Sequence, residues 1–275
     1  MADQDGRVAV VTGGGRGLGR AAAVALAARG ARVVAVARSA DQLTETEGLA
    51  ASSPGSVTGI AADVADAEAV ARLRAQVLER FGPPSILVNA AGVFGPIALI
   101  KDVDPGDWVR TVMIDAIAPF LTVNAFLTGM LEAGWGRIVN VTSAASLHPP
   151  GPLNSAYATG KVALNQLTRH LAAEIAGTGV TANVIHPGDV KTDMWADIRD
   201  KAAALGPIAE AYTAWVDWVV ETGGDPPHKA VDLILRLTSD AGGETNGVFC
   251  WVEDPLQAPI PSWEPPTDAR PWIKE

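Results

Sequence analysis

In the stretch SAYATGKVAL, one of only two tyrosines in the chain, Tyr157, stands four residues before Lys161. On a helix that spacing sets both side chains on one face, a turn apart. A phenol ordinarily titrates near 10, and an ammonium beside it stabilises the phenolate and lowers that value. Such a pair can give a proton to an oxygen and take it back. Tyr-x-x-x-Lys also arises by chance in many helices, so its meaning depends on what else the chain carries and in what order.

A second constellation lies at the start. An apolar run, RVAVVTG, leads straight into TGGGRGLGR at 12–20, followed by an Ala/Leu-rich segment. Gly13, Gly17 and Gly19, with Arg16 and Leu18 between them, form a strand-to-helix turn. Such a turn lets backbone approach a pyrophosphate, whose charge is favoured by the helix N-terminus that follows. The spacing is Gly-x-x-x-Gly-x-Gly rather than Gly-x-Gly-x-x-Gly. It resembles the short-chain dehydrogenase/reductase family. NAAG at 89–92, Ser143 and the Tyr157/Lys161 pair follow in that family's order, so the resemblance covers about residues 7–252.

The resemblance implies an enzyme that interconverts a carbonyl and an alcohol on a nicotinamide nucleotide. Tyr157 would be the general acid in reduction and the base in oxidation. Lys161 would lower its pKa and hold the nicotinamide ribose. Ser143 would donate to the substrate oxygen, with Thr142 and Ser146 as nearby alternatives. The interval from Ser143 to Tyr157 is one residue longer than the family's, which the loop LHPPGPLN can absorb. The family often carries an asparagine where this chain has Asp115. A carboxylate accepts but cannot donate as an amide does, and near Lys161 it would oppose the effect of that lysine on Tyr157. The other reading of Asp115 is a solvated or capping residue.

Further cofactor contacts implied are Asp63 and Val64 beside the adenine, Asn89, Ala90 and Gly92 along the ribose edge, and Pro187, Gly188, Val190 and Thr192 over the nicotinamide. Asp63 could equally cap the following helix. His186 reads as a sheet-end residue. An NAD-type site carries an acid at the end of the second strand. Here that position is Ala37, followed by Arg38. A 2′-phosphate suits a guanidinium. Arg38 and Arg16 therefore point to NADP(H).

Positioning these groups requires a particular scaffold. Apolar, β-branched runs recur near 7–13, 31–38, 56–63, 85–92, 136–143, 179–188 and 246–252. They are nearly continuous rather than alternating, as in strands buried on both faces. Segments with helical spacing lie between them at 18–29, 66–80, 107–131 and 155–176. The expected fold is α/β: a doubly wound, mostly parallel, seven-stranded Rossmann-like sheet with right-handed crossovers, in one domain. We expect a catalytic unit over 1–252, a helical substrate lid within it at 189–228, and a Pro/Trp-rich tail at 253–275. Proline spacing in the tail precludes a regular helix or central strand.

The lid carries an aromatic stripe of Tyr212, Trp215 and Trp218, either core, subunit interface or substrate contact. Trp195, nearest the cofactor turn, is the better candidate for the substrate pocket, and His148 could also touch substrate. If the stripe lines the pocket, an apolar or aromatic ketone fits. A ketoacyl thioester is a narrower possibility. An epimerase would need a separate substrate domain, and an NADP-binding sensor could dispense with the relay residues. The net charge of −10 and the absence of a basic cluster argue against a nucleic-acid or anionic-membrane partner. One cysteine permits no internal disulfide and no thiolate metal cluster. No metal is expected. No signal peptide is legible, and no apolar run reaches the ~18–20 residues that span a bilayer. The expectation is a cytoplasmic enzyme acting on a small molecule, a homo-oligomer (tetramer or dimer) by the family's habit.

Overall fold

The computed structural model describes residues 4–147, 151–252 and 260–261. Within them β1 (Val8–Thr12), β2 (Arg32–Ala37), β3 (Ser56–Ala61), β4 (Ile86–Asn89), β5 (Gly136–Val141), β6 (Val180–His186) and β7 (Val248–Trp251) lie side by side in the order β3-β2-β1-β4-β5-β6-β7. Every pairing among these seven is parallel. β1, β4 and β6 are buried along their whole length, the reason their sequences read as nearly continuous apolar runs, with buried polar exceptions such as Asn89, Thr181, Asn183 and His186. A two-residue eighth strand, β8 (Ile260–Pro261), pairs antiparallel with β7 at the sheet edge. It falls within the segment expected to avoid a central strand, and an edge is where proline is tolerated.

Helices cover both faces. α1 (Gly17–Ala28) and α9 (Pro227–Leu237) pack on one side in a core that includes Leu26, Val33, Ile86 and Ile234. α3 (Ala67–Phe81), α5 (Ala118–Ala133) and α6 (Ser155–Glu174) pack on the other, around Leu73, Leu87, Phe126 and Leu171. α2 (Ala40–Leu49), short and weakly amphipathic, was not evident from spacing, although Ser39 caps it by accepting from Gln42 N–H. The lid segment holds α7 (Asp193–Leu205) and α8 (Glu210–Thr222) and no strand.

The helical segment read at 107–131 runs from α4 (Pro105–Val112) through a π turn (Met113–Ile117) into α5. Pro119 explains the turn: it has no N–H for a carbonyl one turn back, and its ring would clash there. The helix widens instead, and Ala118 N–H bonds Met113 carbonyl. By length and composition the continuous helix Pro105–Ala133 could cross a membrane, contrary to the impression from single apolar runs. Here it buries Thr122, Val123, Phe126 and Met130 against the rest of the fold.

Strand order reverses between β1 and β4, so a crevice opens at their C-terminal ends, the usual place for a ligand in such sheets. A buried polar ladder holds this edge: Thr122 donates to Asn89, Asn89 to Asn140 and Asn140 to Thr168, at 2.8–2.9 Å.

Candidate active site

The glycine turn lies at the switch point. Gly13 has φ +68°, and a Cβ there would sit 2.8 Å from Ala90 O; at Gly19 it would sit 2.3 Å from Gly13 O. Both positions need hydrogen because the turn, the β4 end and α1 pack onto one another. Gly17, φ +55°, instead has nothing within 4 Å of its missing Cβ. The turn is thus tightly packed behind and open in front, and α1 starts directly after it. A dinucleotide pyrophosphate fits that arrangement. Thr12 and Ala91 lock the two loops together, Ala91 N–H donating to Thr12 Oγ1 at 3.2 Å. Asn89, read as a ribose-edge residue, uses its side chain in the polar ladder; Ala90 and Gly92 carry the backbone along the crevice.

Tyr157 and Lys161 do share a face of α6, both buried. Lys161 Nζ lies 5.5 Å from the Tyr157 ring centroid, donates to Val141 O at 3.1 Å, and sits 3.4 Å from Asp115 Oδ1. Ser143 follows β5 and caps a 3₁₀ turn by accepting from Ala145 N–H at 3.2 Å. That leaves its proton free to donate, and its hydroxyl hydrogen-bonds Tyr157. Capping and phenol contact coexist in one side chain. Asn165 accepts from Thr142 and donates to Ser146, so these two alternatives to Ser143 are held away by another partner.

The phenol does not follow the sequence expectation. Burial pushes the Tyr157 pKa above its ordinary value, outweighing Lys161; Asp115 raises it further, and Ser143 lowers it. In the free protein Tyr157 is therefore a proton donor through the neutral range.

Asp115 is neither solvated nor capping. It is fully buried, placed by the π turn. Its Oδ1 accepts from Val93 N–H at 3.1 Å, while Oδ2 has no hydrogen-bond partner. Burial pushes its carboxyl above the usual range, against the pull of Lys161. Glycines make the room: a Cβ on Gly92 would stand 3.0 Å from Asp115 Oδ1, and one on Gly160 2.9 Å from Asp115 Cβ.

At the outer end of the crevice, Ala37 ends β2 and Arg38 is exposed. The cap of α3 is Asp66, which accepts from Glu68 and Ala69 N–H. Asp63 instead pairs with Arg110, and Val64 is buried behind it. Arg16, expected to face a 2′-phosphate, reaches Asp193 of the lid at 3.1 Å. Both partners are more than half exposed, and pairs of that kind contribute little and exchange readily.

The segment expected to form a lid is fastened at its base. Asp189 N–H donates to Asp225, Asp225 N–H to Asp189 O, and Trp215 Nε1 to Asp189 Oδ1, at 2.9–3.1 Å. Pro187 and Gly188 (φ +82°) turn the chain out of β6, Val190 is half-buried, and Thr192 caps α7 by accepting from Trp195 N–H. Trp195 itself packs against Val216 and Val219 within the lid and does not line the cleft beside the glycine turn. Its position on α7 turns it toward α8, which sequence spacing alone could not distinguish. That cleft, about 190 Å³, lies among Arg16, residues 92–95, Met194, Ile198 and Lys201. Tyr212 reaches the site through Phe94: the Phe94 and Tyr157 rings are 4.7 Å apart, and Tyr212 meets Phe94 edge-on at 5.9 Å. Burial pushes the Tyr212 phenol up to about 12. Ile97, Leu153 and Ile198 complete this apolar cluster. Phe94 was missed in the sequence; its only signal is an aromatic two residues past NAAG. His186 accepts Ala144 N–H on Nδ1, a structural contact at the end of β6. His148 lies outside the described residues.

Taken together, a crevice shaped for a dinucleotide, opening beside a buried phenol and ammonium, defines a nucleotide-dependent oxidoreductase. The comparisons narrow that class. Residues 7–203 match the short chain dehydrogenase family. The chain is 37% identical over 250 residues to D-beta-hydroxybutyrate dehydrogenase of Rhizobium meliloti (strain 1021), covering 88% of this chain and 95% of that one. It is 34% identical over 256 residues to galactitol 2-dehydrogenase (L-tagatose-forming) of Cereibacter sphaeroides, covering 90% and 94%. Among solved structures, levodione reductase superposes with a TM-score of 0.81 at 27% identity, over 90% of this chain and 96% of the other. The chain belongs to the short-chain dehydrogenase family, oxidoreductases that act between CH–OH and C=O with a nicotinamide nucleotide.

Proposed function

We propose that the protein is an NADPH-dependent reductase of an apolar or aromatic ketone, able to run in reverse as a secondary-alcohol dehydrogenase. The observation that carries this reading is the meeting of Tyr157, Lys161 and Ser143 beside the glycine crevice. Bound nicotinamide supplies the hydride. Tyr157 Oη gives the proton to the substrate oxygen, and Ser143 donates to the same oxygen as negative charge builds there. Lys161 would hold the ribose, and its amine lies beside the phenol. Gly13, Gly17, Leu18 and Gly19 would hold the pyrophosphate side, with Arg16 directed toward the 2′-phosphate. Pro187, Gly188, Val190 and Thr192 would hold the nicotinamide side.

The apolar character of the substrate is read from Phe94, whose ring lies against Tyr157, and from Ile97, Leu153 and Tyr212, which cluster with Phe94. Tyr212 is the lid residue that fits substrate contact. Cofactor choice rests on the missing acid at Ala37 and on exposed Arg38. Replacement Arg38→Asp should lower the NADPH-to-NADH ratio of kcat/KM by about a hundredfold, since one attraction is lost and one repulsion gained. An unchanged ratio would remove NADP(H) as the assigned cofactor. A panel of ketones tests the reaction itself: NADPH oxidation should be fastest with apolar or aromatic members. Tight NADPH binding with no turnover across the panel would reject the reductase reading.

A homo-oligomer is part of the same proposal. Val109, Ile117 and Phe120 on the α4–α5 helix and Val162 on α6 are large apolar side chains left exposed in the single chain. Light scattering should give a dimer or tetramer, and a monomer at micromolar concentration would refute it.

A further inference from the structure

Three charges meet at the outer end of the crevice. Asp63 stands just past β3, where one carboxylate oxygen accepts Ala65 N–H at 3.0 Å and the other is held by Arg110 Nη2. Arg110 comes from α4, an element that no glycine-loop or strand-end motif connects with nucleotide binding. Arg38, just past β2, lies near enough for its charge to act on Asp63 as well. Burial pushes the Asp63 carboxyl up, but Arg110, Ala65 N–H and the charge of Arg38 together hold it below the usual carboxylate range. Asp63 is therefore ionised at neutral pH.

An ionised carboxylate here conflicts with a phosphorylated ribose. A phosphate monoester carries nearly two negative charges near pH 7. Within a Debye length of about 10 Å, a lone carboxylate would repel it. Arg110 removes the conflict. Its guanidinium cancels the Asp63 charge and fixes the direction of the carboxylate, and Arg38 remains as surplus. Both partners of the pair keep solvent contact, with side-chain exposures of 43% for Arg110 and 34% for Asp63. A cofactor can therefore reach them.

We propose that Arg110 is a cofactor-selecting residue: by holding Asp63 it keeps the adenosine end of the crevice net positive, which favours a 2′-phosphorylated nucleotide over its unphosphorylated counterpart. The proposal rests on the assignment of this crevice to NADP(H). It also gives Asp63 a definite place. Its carboxylate is oriented by Arg110 and Ala65 and would otherwise discriminate against the phosphate.

Direct binding of NADPH and of NADH, measured separately by calorimetry on the full chain, tests this. Arg110→Gln should weaken NADPH roughly five- to tenfold and NADH less than about twofold, with the NADPH loss shrinking as salt is raised. Arg110→Lys should recover most of the NADPH affinity. Adding Asp63→Asn to Arg110→Gln should restore the NADPH-to-NADH affinity ratio to near the parental value, because the uncompensated carboxylate is then gone. Equal weakening of both nucleotides, an unchanged ratio, or no restoration in the double variant would overturn the proposal and leave Arg110 as a tie between α4 and the end of β3. A parental protein that binds NADH more tightly would instead reject the NADP(H) assignment. The change of ratio on Arg110→Gln is read independently of that result.

Discussion

Tyr157→Phe should abolish ketone reduction to within about 10²–10⁴-fold below the parental kcat, the range that a positioned general acid contributes. The ring is buried between Phe94 and Lys161, and the replacement keeps that ring. Packing is therefore preserved, and NADPH affinity and thermal midpoint should stay close to parental values. Only the Oη proton is removed. The loss should appear in kcat and not in KM, because the phenol acts as charge develops on the substrate oxygen. Ser143 still donates to that oxygen, which accounts for residual turnover. Parental kcat in this variant would remove Tyr157 as the acid and with it the proposed chemistry.

The scaffold was legible in the sequence because burial on both faces leaves a plain trace. VAVVT, ILVN and VTANVIH read as nearly continuous buried strands, without polar alternation, since helices cover both sides of β1, β4 and β6. The turn chemistry was legible for a similar reason: Gly13 and Gly19 have no room for a Cβ, so only glycine can stand there. What escaped depends on contacts between distant segments. Arg110 meets Asp63, and Arg16 meets Asp193, only because the topology brings α4 and α7 to the sheet edge. Trp195 shows the same limit in the lid, where rotation of α7 directs it to Val216 rather than to the cleft. The state of Tyr157 escaped for a different reason. Residue spacing reports the attraction of Lys161 and is silent on the opposing cost of burial, which is larger here.

Asp115→Asn should leave activity within about tenfold of the parent while shifting the pH profile acidward by roughly one unit. The sign follows from the charges around the phenol. Asp115 lies against Lys161, and its negative charge raises the Tyr157 pKa. An asparagine is a neutral mimic of the protonated carboxyl at every pH. Its carbonyl can still accept Val93 N–H, so the local fold has a partner for that donor. With the negative charge gone, phenolate forms at lower pH. Alcohol oxidation, which needs the base, should gain its rate earlier as pH rises. Ketone reduction, which needs the acid, should lose its rate earlier. The two proteins should converge at low pH, where Asp115 is protonated in the parent, and diverge as it ionises. Burial raises the Asp115 pKa, so this divergence begins above the usual carboxylate range. A structural role alone would change the height of the profile and the thermal midpoint without moving the inflection. Superimposable inflections in both directions would show that Asp115 exerts no control over the phenol, and that its burial against Lys161 serves packing of the π turn on α6.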